Sequence, residues 1–357
     1  MVPRWRPRAT TPGRVSRPQR RRRATDSREL SASQMQYRPR VPDDPTQALA
    51  TVVPQELRAV LRGRTLRIAR PVGGPQPGRH TSVRAGVGDQ FRGHTAYTPG
   101  DDLRRLDWRA VARRDRLVLR QTDSEDALSA VLLLDGSGAM SYGTAPTRKQ
   151  DIAAALAAAL AHLALRQGDR VGFACGRNGA VELAGVRPQA GSQRLAALAD
   201  ALARPPAGTC PWPELLAAVA PALPRRSLVL AFSDLLDPAP GDPDGDQNLH
   251  RALATLRSRG HDLVLVQVLH RDELTFPWTG RELWRFEDPK DARPALEGHG
   301  HSMRATYLAN LHAHLAGLEQ ACASGGVHLH RVVSDEPLPS ALLGLLARLS
   351  GRPLPAE

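Results

Sequence analysis

Two apolar runs in this 357-residue chain end in the same kind of residue. Val131-Leu132-Leu133-Leu134 leads into Asp135-Gly136-Ser137-Gly138-Ala139, and Leu228-Val229-Leu230-Ala231-Phe232 leads into Ser233-Asp234. In open parallel sheets, ligands bind at the carboxyl ends of strands where strand order reverses, so a carboxylate there is placed for function. If the two runs are neighbouring strands, Asp135 and Asp234 face one crevice with Ser137 on the loop between them. Gly208-Thr209, just before another helix, brings a second hydroxyl. Asp135, Ser137, Thr209 and Asp234 then make an all-oxygen set suited to Mg2+ or Mn2+ and not to a soft ion. The competing reading is that both Asp residues cap helix N-termini, a role for which Asp is well suited.

Other chemistries lack their residues. The first Gly of a Gly-x-Ser-x-Gly nucleophile elbow would stand at 135, where the chain has Asp. No Gly-x-x-x-x-Gly-Lys-Ser/Thr loop exists, and neither Lys149 nor Lys290 lies in a Gly-rich turn, so any ATPase activity belongs to a partner. His328 and His330 would share one face of a strand, but no third zinc ligand is evident. A metal-dependent hydrolase built on Asp135 and Asp234 has no general base that can be named.

The elements that position these residues follow from hydrophobic patterning. Apolar strands are expected at 128–134, 170–175, 180–184, 227–233, 262–268 and 327–333. Helices are expected near 147–167, 191–203, 212–221, 247–259, 302–324 and 339–349. Strands and helices alternate, the pattern of an α/β fold with a doubly wound parallel sheet. The strands are apolar throughout rather than alternating, which requires helices on both faces. The run Ile152–Leu165 is Ala-rich and too short for a membrane span, so it reads as a buried helix. Before the sheet, residues 54–63 form a short helix, and 71–93 read as Gly- and Pro-rich loop within a compact module of loops and short strands.

Net charge is +13, which at first suggests a nucleic-acid binder. Residues 1–40 alone hold twelve Arg against Asp26 and Glu29, a net of +10 that leaves only +3 for the rest. Residues 1–48 therefore read as a disordered basic tail, an electrostatic arm for nucleic acid or an anionic surface, or else an extension ahead of a start at Met35 that leaves 1–34 untranslated. Arg outnumbers Lys 47 to 2, so Arg-richness in itself is weak evidence. The N-terminus lacks the apolar core of a secretory signal, so a cytoplasmic location is expected. Cys175, Cys210 and Cys322 are widely spaced and odd in number, which argues for reduced thiols.

The Asp-x-Ser loop, Gly208-Thr209 and Ser233-Asp234 together resemble the metal-ion-dependent adhesion site of von Willebrand factor A domains. The string Tyr97-x-Pro99-Gly100-Asp101-Asp102-x-Arg104-x-Leu106-Asp107-Trp108, followed by Ala112-Arg113, is similar to the signature of the bacterial domain-of-unknown-function family 58. Gly168-Asp169-Arg170 and Asp335-Glu336-Pro337-Leu338 extend the resemblance over roughly 50–350. It implies a signature module over 49–126, a von Willebrand A-like domain over 127–350, and a MoxR-type AAA+ ATPase as working partner in protein assembly or maturation of an unnamed client. The implied function is non-enzymatic protein interaction. The metal motif is degenerate, because Ala139 stands where the resemblance calls for a Ser ligand. The Pro-Gly-Asp-Asp segment itself reads either as a partner-binding surface or as a turn, with Arg104 and Arg113 pairing the acids and Trp108 packed on the sheet domain.

Overall fold

The structure, a computed structural model, describes residues 53–68, 77–98, 106–114, 116–191, 193–236, 245–280, 282–290 and 294–351. The basic tail lies outside these residues, as do Pro99, Gly100, Asp101, Asp102, Arg104 and the side chain of Arg113.

At the centre is a six-stranded sheet. Its strands are β3 (Ser129–Asp135), β4 (Arg170–Arg177), β5 (Ala180–Gln189), β6 (Leu228–Ser233), β7 (Asp262–Leu269) and β10 (His328–Val333). Their order is β10-β7-β6-β3-β4-β5, so the chain leaves β3 toward one edge and returns to its other side as β6. The strand order reverses between β3 and β6, the two strands that carry Asp135 and Asp234, and they pair in parallel from Ala130↔Leu228 to Leu134↔Phe232. All pairings are parallel except β4 with β5. That exception has a local cause. Asn178 and Gly179, both at positive φ, form the two-residue link between β4 and β5, which closes a hairpin and is too short for a parallel crossover.

Period-two alternation divides the core between the two faces. Ala130, Leu132 and Leu134 of β3 pack with α1 (Gln55–Leu61), α3 (Lys149–Arg166), α4 (Gln193–Ala203) and α9 (Leu338–Leu349). Val131 and Leu133 face α5 (Trp212–Val219), α6 (Gly245–Ser258) and α8 (Gly300–Gly325). The expected Ala-rich buried helix is α3. Its Ala157, Ala158, Ala159 and Ala161 are wholly enclosed, and side chains this small let the helix lie close to the sheet. At its end Gly168 takes a positive φ, and the buried Asp169 accepts a hydrogen bond from the Leu128 amide at 2.9 Å, fixing where β3 begins. The Gly-Asp-Arg motif is thus accounted for by a helix stop and a strand start.

The preceding module is a two-stranded antiparallel sheet of β1 (Pro77–Ala96) and β2 (Val118–Asp126), with α2 (Trp108–Arg114) between them. β1 corrects the loop expected over 71–93: from Pro77 onward this Gly-containing stretch is strand, interrupted by register shifts. Asp107 caps α2, its Oδ1 accepting from the amides of Arg109 and Ala110 at 3.1 and 3.0 Å. Trp108 does not pack on the sheet domain as expected, being 67% exposed. Val53, Leu57, Leu61 and Leu66, by contrast, belong to the core on the α3 face. Leu66 is held there by the side-chain amide of Gln167, which donates to the Leu66 carbonyl at 3.1 Å and accepts from its amide.

Besides α2, three elements have no counterpart among those expected from the sequence: α7 (Arg271–Thr275) and a hairpin of β8 (Leu283–Phe286) with β9 (Leu296–His299). Among the described residues no helix is long and apolar enough to cross a membrane.

Ala158→Leu in α3 is expected to destabilise the protein by about 1–3 kcal/mol, because a close-packed site must deform to take the added methylenes. Urea unfolding monitored by circular dichroism checks this, and an unchanged midpoint would mean that α3 sits loosely on the sheet.

Candidate functional site

The crevice forms at the carboxyl ends of β3 and β6, where the turn after β3 meets the end of β4 and the loop at 207–209. Backbone hydrogen bonds join them: Gly136 amide to Gly176 carbonyl at 2.8 Å, Ala207 amide to Gly136 carbonyl at 2.8 Å, and Gly138 amide to Gly208 carbonyl at 2.9 Å. The adjacency of the Asp-x-Ser loop and the Gly208-Thr209 loop, expected from the sequence, is present in the backbone. The Thr209 carbonyl accepts from the Gly179 amide, and the Thr209 hydroxyl lies over that same glycine.

Asp135 is buried and both its oxygens are used. Oδ1 accepts from the Ser137 amide at 2.8 Å, and Oδ2 accepts from the Ser233 hydroxyl, which in turn accepts from the Leu235 amide at 3.1 Å. The Ser137 hydroxyl is fully enclosed and has no hydrogen-bond partner. Asp135 Oδ1 thus closes a local turn on Ser137, and Asp234 Oδ1 a longer one on the Leu236 amide at 3.4 Å.

Asp234 is engaged by a residue that the sequence reading passed over. Lys149, the first residue of α3, is 0% exposed and donates from Nζ to Asp234 Oδ2 at 2.8 Å and to Glu273 Oε1 at 2.7 Å. Glu273 of α7 is itself placed by a capping box in which its Oε2 accepts from the His270 amide at 2.7 Å. Lys290, the chain's other lysine, comes from the β8–β9 hairpin. Its neighbour Pro289 presses so closely on Gly138 that a Cβ there would stand 1.9 Å from the Pro289 carbonyl oxygen. Only glycine fits at 138.

This donor set does not fit a divalent cation. Asp234 Oδ2 is held by an ammonium, both Asp135 oxygens accept protein hydrogen bonds, and Ala139 supplies no oxygen. Among the described residues no group of three or more His, Cys, Asp or Glu is arranged to hold a metal.

A family model described as a protein of unknown function, DUF58, matches residues 94–316. The chain belongs to this family. Uncharacterized proteins of Mycobacterium tuberculosis and Mycobacterium bovis are each 29% identical to it over 246 residues, covering 68% of this chain and 74% of theirs. The crystal structure of a conserved hypothetical protein BatB from Bacteroides thetaiotaomicron covers 62% of this chain and all of its own. It is 12% identical with a TM-score of 0.33, too distant to carry an inference. The sheet order and flanking helices are by themselves consistent with a Rossmann-like or von Willebrand A-like fold.

Charge in this DUF58 crevice is unevenly shared. Burial pushes the Asp135 carboxyl above the ordinary carboxylate range and the charge of Asp234 pushes it further, outweighing Lys290 and the hydrogen bonds from Ser233 and Ser137. Burial also works against ionised Asp234, but Lys149 and Lys290 more than offset it and hold that carboxyl at about 2. Burial opposes the charge on Lys149 too, yet two carboxylates at hydrogen-bond distance keep it above the usual lysine value. The signature residues contribute differently. Asp107 is a helix cap, the Tyr97 amide donates to the Leu117 carbonyl at 3.0 Å, and Asp335 pairs with Arg271 at the surface.

Because Asp234 is held at about 2 against an ordinary 3.8, the stability it contributes is complete above about pH 4 and is lost as pH falls toward 2. Asp234→Asn should remove that part of the acid limb and cost about 3–5 kcal/mol at neutral pH, the cost of breaking a buried pair from one side. Urea unfolding across this pH range is the check, and an unchanged acid limb would mean that Asp234 is not ionised in the fold.

Proposed function

We propose that this DUF58 chain is a non-enzymatic interaction protein that docks a partner at the crevice between β3 and β6. Its working partner, on this reading, is a MoxR-type AAA+ ATPase, and the pair acts in assembly or maturation of a client protein. The observation that carries the proposal is the state of the acids at the switch point. They sit where sheets of this class bind ligands, and each is committed to a structural partner rather than poised for proton transfer.

A hydrolase reading finds little support in the same geometry. A nucleophile needs a base within hydrogen-bond reach. The Ser137 hydroxyl has no partner, and the Ser233 hydroxyl, although it donates to the Asp135 carboxylate, is 1% exposed and out of reach of a substrate. His270, carried just beyond β7, spends its Nδ1 accepting from the Asp272 amide at 3.2 Å. The resemblance described above supplies the ATPase as partner, and the absence of a P-loop in the chain agrees with nucleotide hydrolysis being the partner's task.

The test is co-purification of the full chain with a MoxR-type ATPase from the same genome, in ATP and in ADP. Association in at least one nucleotide state is expected, weakened about tenfold or more by Gly138→Gln, which must displace Pro289 from the crevice. Failure to associate in either state removes the ATPase from the proposal. Undiminished association of a folded Gly138→Gln variant moves the docking site away from the crevice.

A further inference from the structure

The composition and the geometry meet at one group. The chain places Arg at 47 of its 49 basic positions and Lys at only two, and both lysines come to the same crevice. Lys149 lies wholly enclosed between Asp234 and Glu273, and the backbone of Lys290 lies against Gly138, the turn that follows Asp135. Asp135 and Asp234 both feel the Lys290 charge. An ammonium is a compact point charge with three donors, whereas guanidinium is a planar fork that needs more room and a fixed approach. A chain so biased toward Arg departs from it where a small, fixed positive charge must fit among buried carboxylates.

That is also the place where the resemblance calls for a divalent cation. A hard cation of the Mg2+ type demands near-octahedral oxygen coordination and gives up its waters reluctantly. Here Ala139 has no oxygen, each Asp135 oxygen already accepts a protein hydrogen bond, and the unpaired Ser137 hydroxyl adds a single neutral oxygen. A dication would also sit beside an ammonium that cannot withdraw, because Lys149 is locked at 2.8 and 2.7 Å by two carboxylates.

We propose that the Lys149 ammonium takes the place of the divalent cation, so that Asp234 has its counter-charge within the chain and the crevice works without metal. The substitution reaches beyond charge. A metal ion comes and goes with its concentration, whereas a lysine on α3 is permanent, so the state of this crevice does not follow divalent-ion levels. The inference concerns the crevice named in the proposed function, but its test reads metal binding and stability and needs no partner. The failure of one therefore leaves the other standing.

The experiment titrates Mn2+ into the full chain, following free Mn2+ by electron paramagnetic resonance and the melting temperature in EDTA, Mg2+ and Mn2+. The wild-type chain is expected to bind no Mn2+ up to millimolar concentration and to melt at the same temperature in all three. Lys149→Ala removes the ammonium and leaves both room and two unpaired carboxylates. It should gain Mn2+ binding and a melting temperature that rises by several degrees with the ion, since a ligand of the native state alone stabilises it. Lys149→Met removes the charge but fills the space, and should melt lower than wild type with no response to Mn2+. A Lys149→Ala chain that folds only with Mn2+ present is the same result in stronger form. Stoichiometric Mn2+ on the wild-type chain, with a raised melting temperature, overturns the proposal whatever the variants do. Folded Lys149→Ala that remains indifferent to Mn2+ overturns it as well, because the ammonium would then not be standing in for an ion.

Discussion

The structure depends on one buried ion cluster. Lys149 begins α3, Asp234 ends β6 and Glu273 lies in α7, and their side chains meet with no exposure to water. A lysine at a helix N-terminus opposes the helix dipole, and an unpaired buried ammonium is costly. Two carboxylates reverse both penalties, and the cluster then fixes the position of α3 against the switch point of the sheet. Everything at the crevice inherits that placement. Asp234 is turned back toward α3, and the next residue, Leu235, takes a positive φ uncommon for a leucine. The Leu235 carbonyl lies 2.6 Å from the His314 Nε2 of α8, so the same turn reaches the helix on the opposite face of the sheet.

The second constraint is how closely the loops approach one another. Gly138 admits no side chain beneath Pro289, and a Cβ at Gly136 would stand 2.7 Å from Arg177 Nε. The covering hairpin is held by aromatic packing. Phe276 contacts Trp278, Phe286 and Tyr307 with ring centroids 5.1, 5.8 and 4.9 Å apart. In a chain with so few aromatic residues, their concentration here anchors the segment that carries Pro289 and Lys290 to α8. The hairpin's own strands are short, and Leu283 and Leu296 are exposed, so it depends on those rings for its position.

What the sequence revealed and what it hid follow from the range of the interactions. The sheet strands were legible because burial on both faces leaves an unbroken apolar run, and the pairing of β3 with β6 follows from their shared acidic ends and the rule for switch points. The antiparallel β5 is legible in principle from Asn178-Gly179, a hairpin signal that the expectation of a parallel sheet did not take up. Glu273 could not be read. It lies 124 residues from Lys149, and nothing local marks an acid in a five-residue helix as buried. Lys149 did leave a signal, since one of two lysines in an Arg-rich chain falls at the start of its most buried helix. That signal is compositional and does not appear in any motif. Trp108 misled for the opposite reason: its neighbours in a dense polar string suggested packing, whereas the turn chemistry of Asp107 accounts for the start of the helix while the ring stays in solvent.

The two switch-point acids end in opposite electrostatic states although they share a crevice. Asp234 is held ionised by an ammonium in contact, while Asp135 is raised by burial and by Asp234 itself. The asymmetry follows from geometry, since Lys149 reaches only one of them and hydrogen bonds from Ser137 and Ser233 do not replace a full charge. Asp234 is therefore structural in the strict sense that its charge is already spent on the fold. Asp135, whose ionisation burial and Asp234 oppose, lies on the same loop as the unpaired Ser137 hydroxyl. Lys290, partly exposed and carried on a hairpin anchored by aromatic contacts, is the chain's own positive charge that favours the ionised form.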